Sequence, residues 1–151
     1  MSADKKKIRI LFLCTGNSCR SQMAEGWARH LKGNVMEVYS AGISPATLSQ
    51  RAVKVMADAG VDISGQMSKH IDDVIGIQFD YVVTVCDNAR EHCPVFPGRV
   101  RRIHKAFEDP SFLPGPEDEV MAAFTKTRDQ IKQFVEQMPE NLETERGQGK
   151  F

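Results

Sequence analysis

Apolar and polar positions along the chain fall into two repeating patterns. Ile8–Cys14 (IRILFLC) is a nearly continuous apolar run, as expected of a parallel strand covered on both faces. After a polar, glycine-containing segment at 15–18, the residues Met23, Ala24, Trp27, Ala28 and Leu31 recur at helical spacing until Gly33. Residues 35–40 read as a second strand. Ser44 and Pro45 break the chain, then Ala52, Val53, Met56 and Ala59 mark a second helix closed by Gly60. A short helix is expected after Ser68. Residues 81–86 (YVVTVC) form another buried strand, and 100–106 a weaker one. Pro110, Pro114, Gly115 and Pro116 make a loop. Beyond it Val120, Phe124, Ile131, Phe134, Val135 and Met138 trace one stripe of a long amphipathic helix. Asp118 and Glu119 lie near its start, where the helix dipole favours acids. Pro139 stops it, and the polar tail 140–151 is expected to fray. Strands alternating with helices predict an α/β domain, residues 1–139, with a parallel sheet and helices on both faces. In such sheets the active site lies beyond the carboxyl ends of the strands, where Cys14 and Cys86 both fall.

Composition narrows the function. Twenty Lys and Arg balance twenty Asp and Glu, so no global field draws the chain to nucleic acid or an anionic membrane. No run approaches the roughly 20 apolar residues that span a bilayer. Lys5, Lys6 and Lys7 precede an apolar run, but it is short for an export signal and Arg9 interrupts it, so a buried strand explains it better. The expected location is the cytoplasm, where the four cysteines stay reduced and are reactive or metal-binding. There is no Cys-x2-Cys knuckle, and no metal or other cofactor is expected.

The chemistry is concentrated at 14–21: Cys14, Thr15, Gly16, Asn17, Ser18, Cys19, Arg20 and Ser21. A cysteine, five residues and an arginine stand between a strand and a helix. The backbone N–H groups of such a loop, with those of the helix start, would converge on a tetrahedral oxyanion. Arg20 adds a planar fork for two of its oxygens. The same positive surroundings are expected to lower the pKa of Cys14. Asn17 suits a left-handed position, and Ser21 is placed to donate to the thiolate. Asp109, held extended by Pro110, is a candidate acid in the loop after the fourth strand.

Four stretches carry a resemblance: CTGNSCRSQMAEGW, YSAG at 39–42, VVTVCD at 82–87, and the Asp109-Pro110 pair. They are similar to the low-molecular-weight protein tyrosine phosphatase superfamily, and within it to the thioredoxin-coupled arsenate reductases. The resemblance implies a flavodoxin-like, three-layer fold around a four-stranded parallel sheet. It implies Cys14 as nucleophile, Arg20 as oxyanion clamp and Asp109 as general acid. It further implies a relay in which Cys86 attacks the Cys14–arsenic adduct and releases arsenite. Cys93 then attacks Cys86, and thioredoxin reduces the resulting disulfide. Arsenate is the implied substrate, with phosphate or sulfate as competing oxyanions, and arsenic detoxification the implied role of a monomer. Cys93 lies in a segment with Asp87, Asn88, Pro94, Pro97 and Gly98, which suggests a mobile loop.

Two other classes remain open on the residues alone: a phosphatase for phosphotyrosine or small phosphoesters, and an oxyanion-binding redox sensor. Against the phosphatase, Ser111 and not an aromatic residue follows Asp109-Pro110, with Phe112 one place later. Some family members bind potassium beside the loop. Asn17, Glu25 and Ser40 match that site, but Lys69 stands where an aspartate is expected, which implies no potassium requirement. Cys19 has no assigned role. His92 beside Cys93, His30, His70 and His104 read as surface or partly packed. Arg99, Arg101, Arg102 and Lys105 read as a solvated basic face.

Overall fold

In the computed structural model, which describes residues 6–144, four strands form one parallel sheet. They are β1 (Ile8–Cys14), β2 (Met36–Gly42), β3 (Tyr81–Thr84) and β4 (Arg101–His104), in the order β2-β1-β3-β4. The chain runs outward from β1 to β2 and then crosses back to β3 on the other side of β1. This makes the β1/β3 seam the switch point, the crevice where ligands bind in open α/β sheets. Leu13 pairs with Thr84 at that end, one residue short of Cys14.

Alternation along the strands builds two cores. Ile10, Phe12, Val38, Val83 and Ile103 face one side with Met23, Trp27, Phe124, Ile131 and Val135. That side is covered by α1 (Arg20–Lys32), α2 (Gln50–Asp58) and α4 (Glu117–Glu136). Leu11, Leu13 and Val82 face the other side with Phe79, Cys86, Ala89 and Phe96, under α3 (Asp87–Glu91) and a 3-10 turn at Ile71–Asp73. Helix α1 is buried without a break from Ser21 to Ala28, polar residues included. Gly26 permits this, because a Cβ there would stand 2.5 Å from Ile63 Cγ2.

Three expectations need correction. The helix expected after Ser68 is only the single 3-10 turn. The strand expected over 81–86 ends at Thr84, and Cys86 instead caps α3, its Sγ accepting the Ala89 N–H at 3.4 Å. The first part of the segment taken as a frayed tail is helical: α5 (Glu140–Thr144) buries Leu142 completely, and Glu143 bonds both Tyr81 and Arg101. One apolar residue in a polar stretch is enough when the rim of the sheet supplies partners. The remaining tail residues, 145–151, lie outside the described residues.

Candidate active site

The loop from Cys14 to α1 owes its shape to where its carbonyls go. Cys14 O, Thr15 O, Gly16 O and Ser18 O accept from the N–H groups of Ile43, Ser44, Ala46 and Ser49 at 2.8–3.1 Å. Asn17 O accepts from Gln22 Nε2 at 2.9 Å, and Gly16 O also from Ser68 Oγ at 3.0 Å. With the carbonyls tied to the neighbouring segments, the loop N–H groups are the donors left for an anion. The α1 N-terminus adds to them, since Cys19 precedes it with no side-chain cap and no acid occupies its first turn. Packing against 42–49 requires a glycine: a Cβ on Gly42 would meet Thr15 O at 2.7 Å.

Asn17 holds the cup from within. It is fully buried at φ 48, the left-handed conformation expected for it. Its Oδ1 accepts from Lys69 N at 2.9 Å, and its Nδ2 donates to Ser21 Oγ at 2.8 Å and Ser40 Oγ at 2.9 Å. Ser21 thus serves as a prop for Asn17. Ser40 donates to the buried Glu25 carboxylate, which also pairs with Arg29 at 2.9 Å. Lys69 Nζ reaches Met67 O at 3.1 Å and Glu25 Oε1 at 3.9 Å, so an ammonium does occupy this corner.

Arg20 closes one wall. Its Nη1 donates to Phe107 O at 3.1 Å and its Nη2 to Asp109 Oδ2 at 3.2 Å, while its buried Nε has no partner. Asp109 sits at φ −89, ψ 109, as Pro110 requires, and its Oδ1 caps the following 3-10 turn by accepting Ser111 N–H at 2.9 Å. The arginine fork of the cup thus lies on its candidate acid.

Cys14, at the end of β1, and Cys86, two residues past the end of β3, face each other at the β1/β3 seam, close enough for each thiol to act on the other's proton affinity. Asn88 Nδ2 donates to Thr15 Oγ1 at 3.0 Å, which leaves the Thr15 hydroxyl hydrogen for Cys86 Sγ at 3.2 Å. The expected lowering of the Cys14 pKa is not what this geometry produces. The hydrogen bond to Cys86 and burial hold Cys14 well above the ordinary thiol range, against the pull of Arg20. Cys86 takes the charge: hydrogen bonds from Cys14, Thr15 and Ala89 outweigh its burial and bring it down to about 5. The two thiols titrate together, and the donors from Thr15 and Ala89 favour charge on Cys86.

Cys93 is half-buried at the edge of the core that contains Cys86, its Sγ 3.6 Å from Pro94 O, and burial pushes its pKa up. Cys19 is buried beside the cup, and burial raises it to about 12. All four cysteines are free thiols. The structure thus gathers Cys14, Thr15, Asn17, Arg20, Cys86 and Asp109 at one sheet edge, with Cys93 on the same face as Cys86.

Sequence reading missed His104 and Arg102. His104 is nearly buried between Thr84 Oγ1 and Asp87 Oδ1, each at 2.8 Å. The basic run is divided among partners: Arg101 goes to Glu143, Arg102 to Pro94 O, and Lys105 lies over the Phe134 ring. Strand alternation at 101–104 was the one signal that could have separated them.

Known proteins with this architecture match over most of the chain. Residues 9–148 fit the family described as low molecular weight phosphotyrosine protein phosphatase. An arsenate reductase of Bacillus subtilis is 50% identical over 131 residues, 84% of this chain and 94% of that protein. A solved arsenate reductase in its phosphate-binding state superposes with a TM-score of 0.65 at 31% identity, covering 89% of this chain and 95% of that one. A thioredoxin-dependent arsenate reductase of Corynebacterium glutamicum superposes with a TM-score of 0.61 at 27% identity, covering 87% and 63%. No described helix is long and apolar enough to cross a membrane. With the cup, its arginine and the second thiol in place, the chain belongs to the low molecular weight phosphotyrosine protein phosphatase family and groups within it with the arsenate reductases.

Proposed function

We propose that the chain reduces arsenate to arsenite for arsenic detoxification, through a relay over Cys14, Cys86 and Cys93 that thioredoxin resets. The observation that carries this reading is a second thiol at the cup: Cys86 Sγ lies 3.2 Å from the hydroxyl of Thr15, the residue after Cys14. A phosphoester hydrolase regenerates a single thiol with water. Taking arsenic(V) to arsenic(III) needs two electrons, which two thiols supply as they form a disulfide.

Arsenate enters the cup onto the loop N–H groups and the α1 terminus, where phosphate and sulfate compete for the same donors. The oxyanion draws the Arg20 fork away from Asp109, which frees that carboxyl to face the leaving oxygen. Cys14 Sγ attacks arsenic as its proton passes to Cys86, and Asp109 protonates the hydroxyl that leaves as water. Cys86, giving up that proton, attacks Cys14 Sγ. The Cys14–Cys86 bond forms while the sulfur–arsenic pair returns to arsenic, so arsenite departs. Cys93 then moves the disulfide outward, and thioredoxin reduces it. The reading takes the chain as a monomer in a cytoplasm that keeps these thiols reduced, with no metal in the reaction.

NADPH oxidation by thioredoxin reductase, thioredoxin and arsenate tests this, with wild type and Cys93→Ser compared. Wild type should cycle, and Cys93→Ser should release one arsenite and stop. A variant that cycles at the wild-type rate overturns the relay. The cup itself still fits a phosphoester, and Phe112, 86% exposed after Asp109, offers an aryl group a face. Residual hydrolysis of p-nitrophenyl phosphate should therefore survive in Cys86→Ser.

A further inference from the structure

The relay uses the segment between Cys86 and Cys93 but not the strand beneath it. In β4, Arg102 and His104 point to the face opposite the fully buried Ile103. His104 holds Asp87, the residue after Cys86, at 2.8 Å. Arg102 Nη2 holds the carbonyl of Pro94, the residue after Cys93, at 3.5 Å. One strand thus grips both thiol-bearing ends of the segment.

The two grips differ in what they leave over. His104 spends both ring nitrogens, on Thr84 and Asp87. Arg102 forms no ion pair among the described residues, and its buried Nε has no hydrogen-bond partner. A buried guanidinium N–H without an acceptor is costly, and such a group in a working protein calls for an explanation. Its charge is also the one that opposes the effect of burial on Cys93. Arg90 is turned to Asp87 at 3.8 Å, Arg101 to Glu143, and Lys105 to Phe134.

We propose that Arg102 is the positioning residue for the second disulfide transfer, holding the segment at Pro94 and compensating the Cys93 thiolate as it attacks Cys86. The assignment rests on the relay proposed above. In that step the Cys93–Cys86 bond forms and the Cys86–Cys14 bond breaks. Cys14 leaves with the bonding pair and takes up the proton that Cys93 lost. One disulfide replaces another, so no outside oxidant or reductant enters. A thiolate arriving from Cys93 gives the spare Nε–H an acceptor, and the guanidinium supplies the opposite charge.

The test uses Arg102→Gln and Arg102→Lys in the full chain, with three readouts: arsenite released in a single turnover without reductant, steady-state turnover with thioredoxin, and the pH profile of Cys93 alkylation resolved by peptide. Arg102→Gln should keep the wild-type single turnover, lose about tenfold in steady state, and shift the Cys93 profile up by about one pH unit. Arg102→Lys, which keeps the charge, should recover most of both. Wild-type steady-state turnover and an unshifted profile in Arg102→Gln would overturn the assignment. If Arg102→Gln does not fold, an unshifted profile with Arg102→Met expressed alongside the folded Arg102→Lys has the same force. A wild type that releases no arsenite contradicts the relay instead, and the alkylation profile then still decides whether Arg102 acts on Cys93.

Discussion

Around the two thiols at the cup, the hydrogen-bond donors are unevenly placed. The donors from Thr15 and Ala89 both end on Cys86, so the charge rests there while Cys14 keeps its hydrogen. The reduced protein should show a thiolate by ultraviolet absorbance at neutral pH, lost as pH falls through about 5, and that transition should be absent from Cys86→Ser. The sign for stability follows from the same shift. Folded Cys86 binds its proton more weakly than the unfolded chain does, so its contribution is full above the ordinary thiol range and is lost as pH falls toward 5. Relative to Cys86→Ser, the reduced wild type should gain thermal midpoint as pH rises from 5 to neutrality. Equal slopes for the two proteins would place the charge elsewhere.

Among the elements, α3 is the short helix whose cap is a thiol of the proposed relay. It has only five residues, below the length at which a helix persists by itself, and its cap is a reactive sulfur. Once Cys86 is in a disulfide its sulfur no longer carries a charge, and the Ala89 N–H loses its acceptor. Cys93 can then approach from the far end of the same segment. Amide exchange should report this: protection from Ala89 to His92 should fall in the Cys14–Cys86 disulfide form, made in Cys93→Ser, relative to the reduced protein. Unchanged protection would mean that Cys93 reaches Cys86 with the helix intact. By contrast, α1 is buried without a break from Ser21 to Ala28.

Across the whole molecule, the α5 anchor and the cup lie at opposite ends of the sheet. Helix α5 reaches the amino end of β3 and β4 through Glu143, with Leu142 fully buried, while the cup sits at the carboxyl ends. Leu142→Ala should cost about 2–5 kcal/mol in chemical denaturation and leave arsenate turnover unchanged below the unfolding transition. A loss of turnover in a folded variant would reveal coupling through the sheet.

The anion cup was legible along the chain because its chemistry is local: Cys14, Arg20 and the helix start are neighbours, and strand-loop-helix order fixes their direction. The parallel sheet was legible for a similar reason, since apolar runs and helical stripes alternate. Leu142 and Glu143 were not, because a short polar segment has no periodicity until the β3 and β4 edge gives it partners. Nor were the roles of His104 and Arg102, hidden in a basic run whose members the strand sends to opposite faces. The chain by itself placed Cys14 and Arg20 at the two ends of one strand-to-helix loop, with Cys86 and Cys93 beyond it. Only the tertiary structure decided which sulfur the Thr15 and Ala89 donors face and which β4 side chains reach the segment from Cys86 to Pro94. Those outcomes depend on contacts between Thr15 and Cys86, and between β4 and the segment beside it, where hydrogen-bond donors and burial compete over a few ångströms that no sequence spacing encodes.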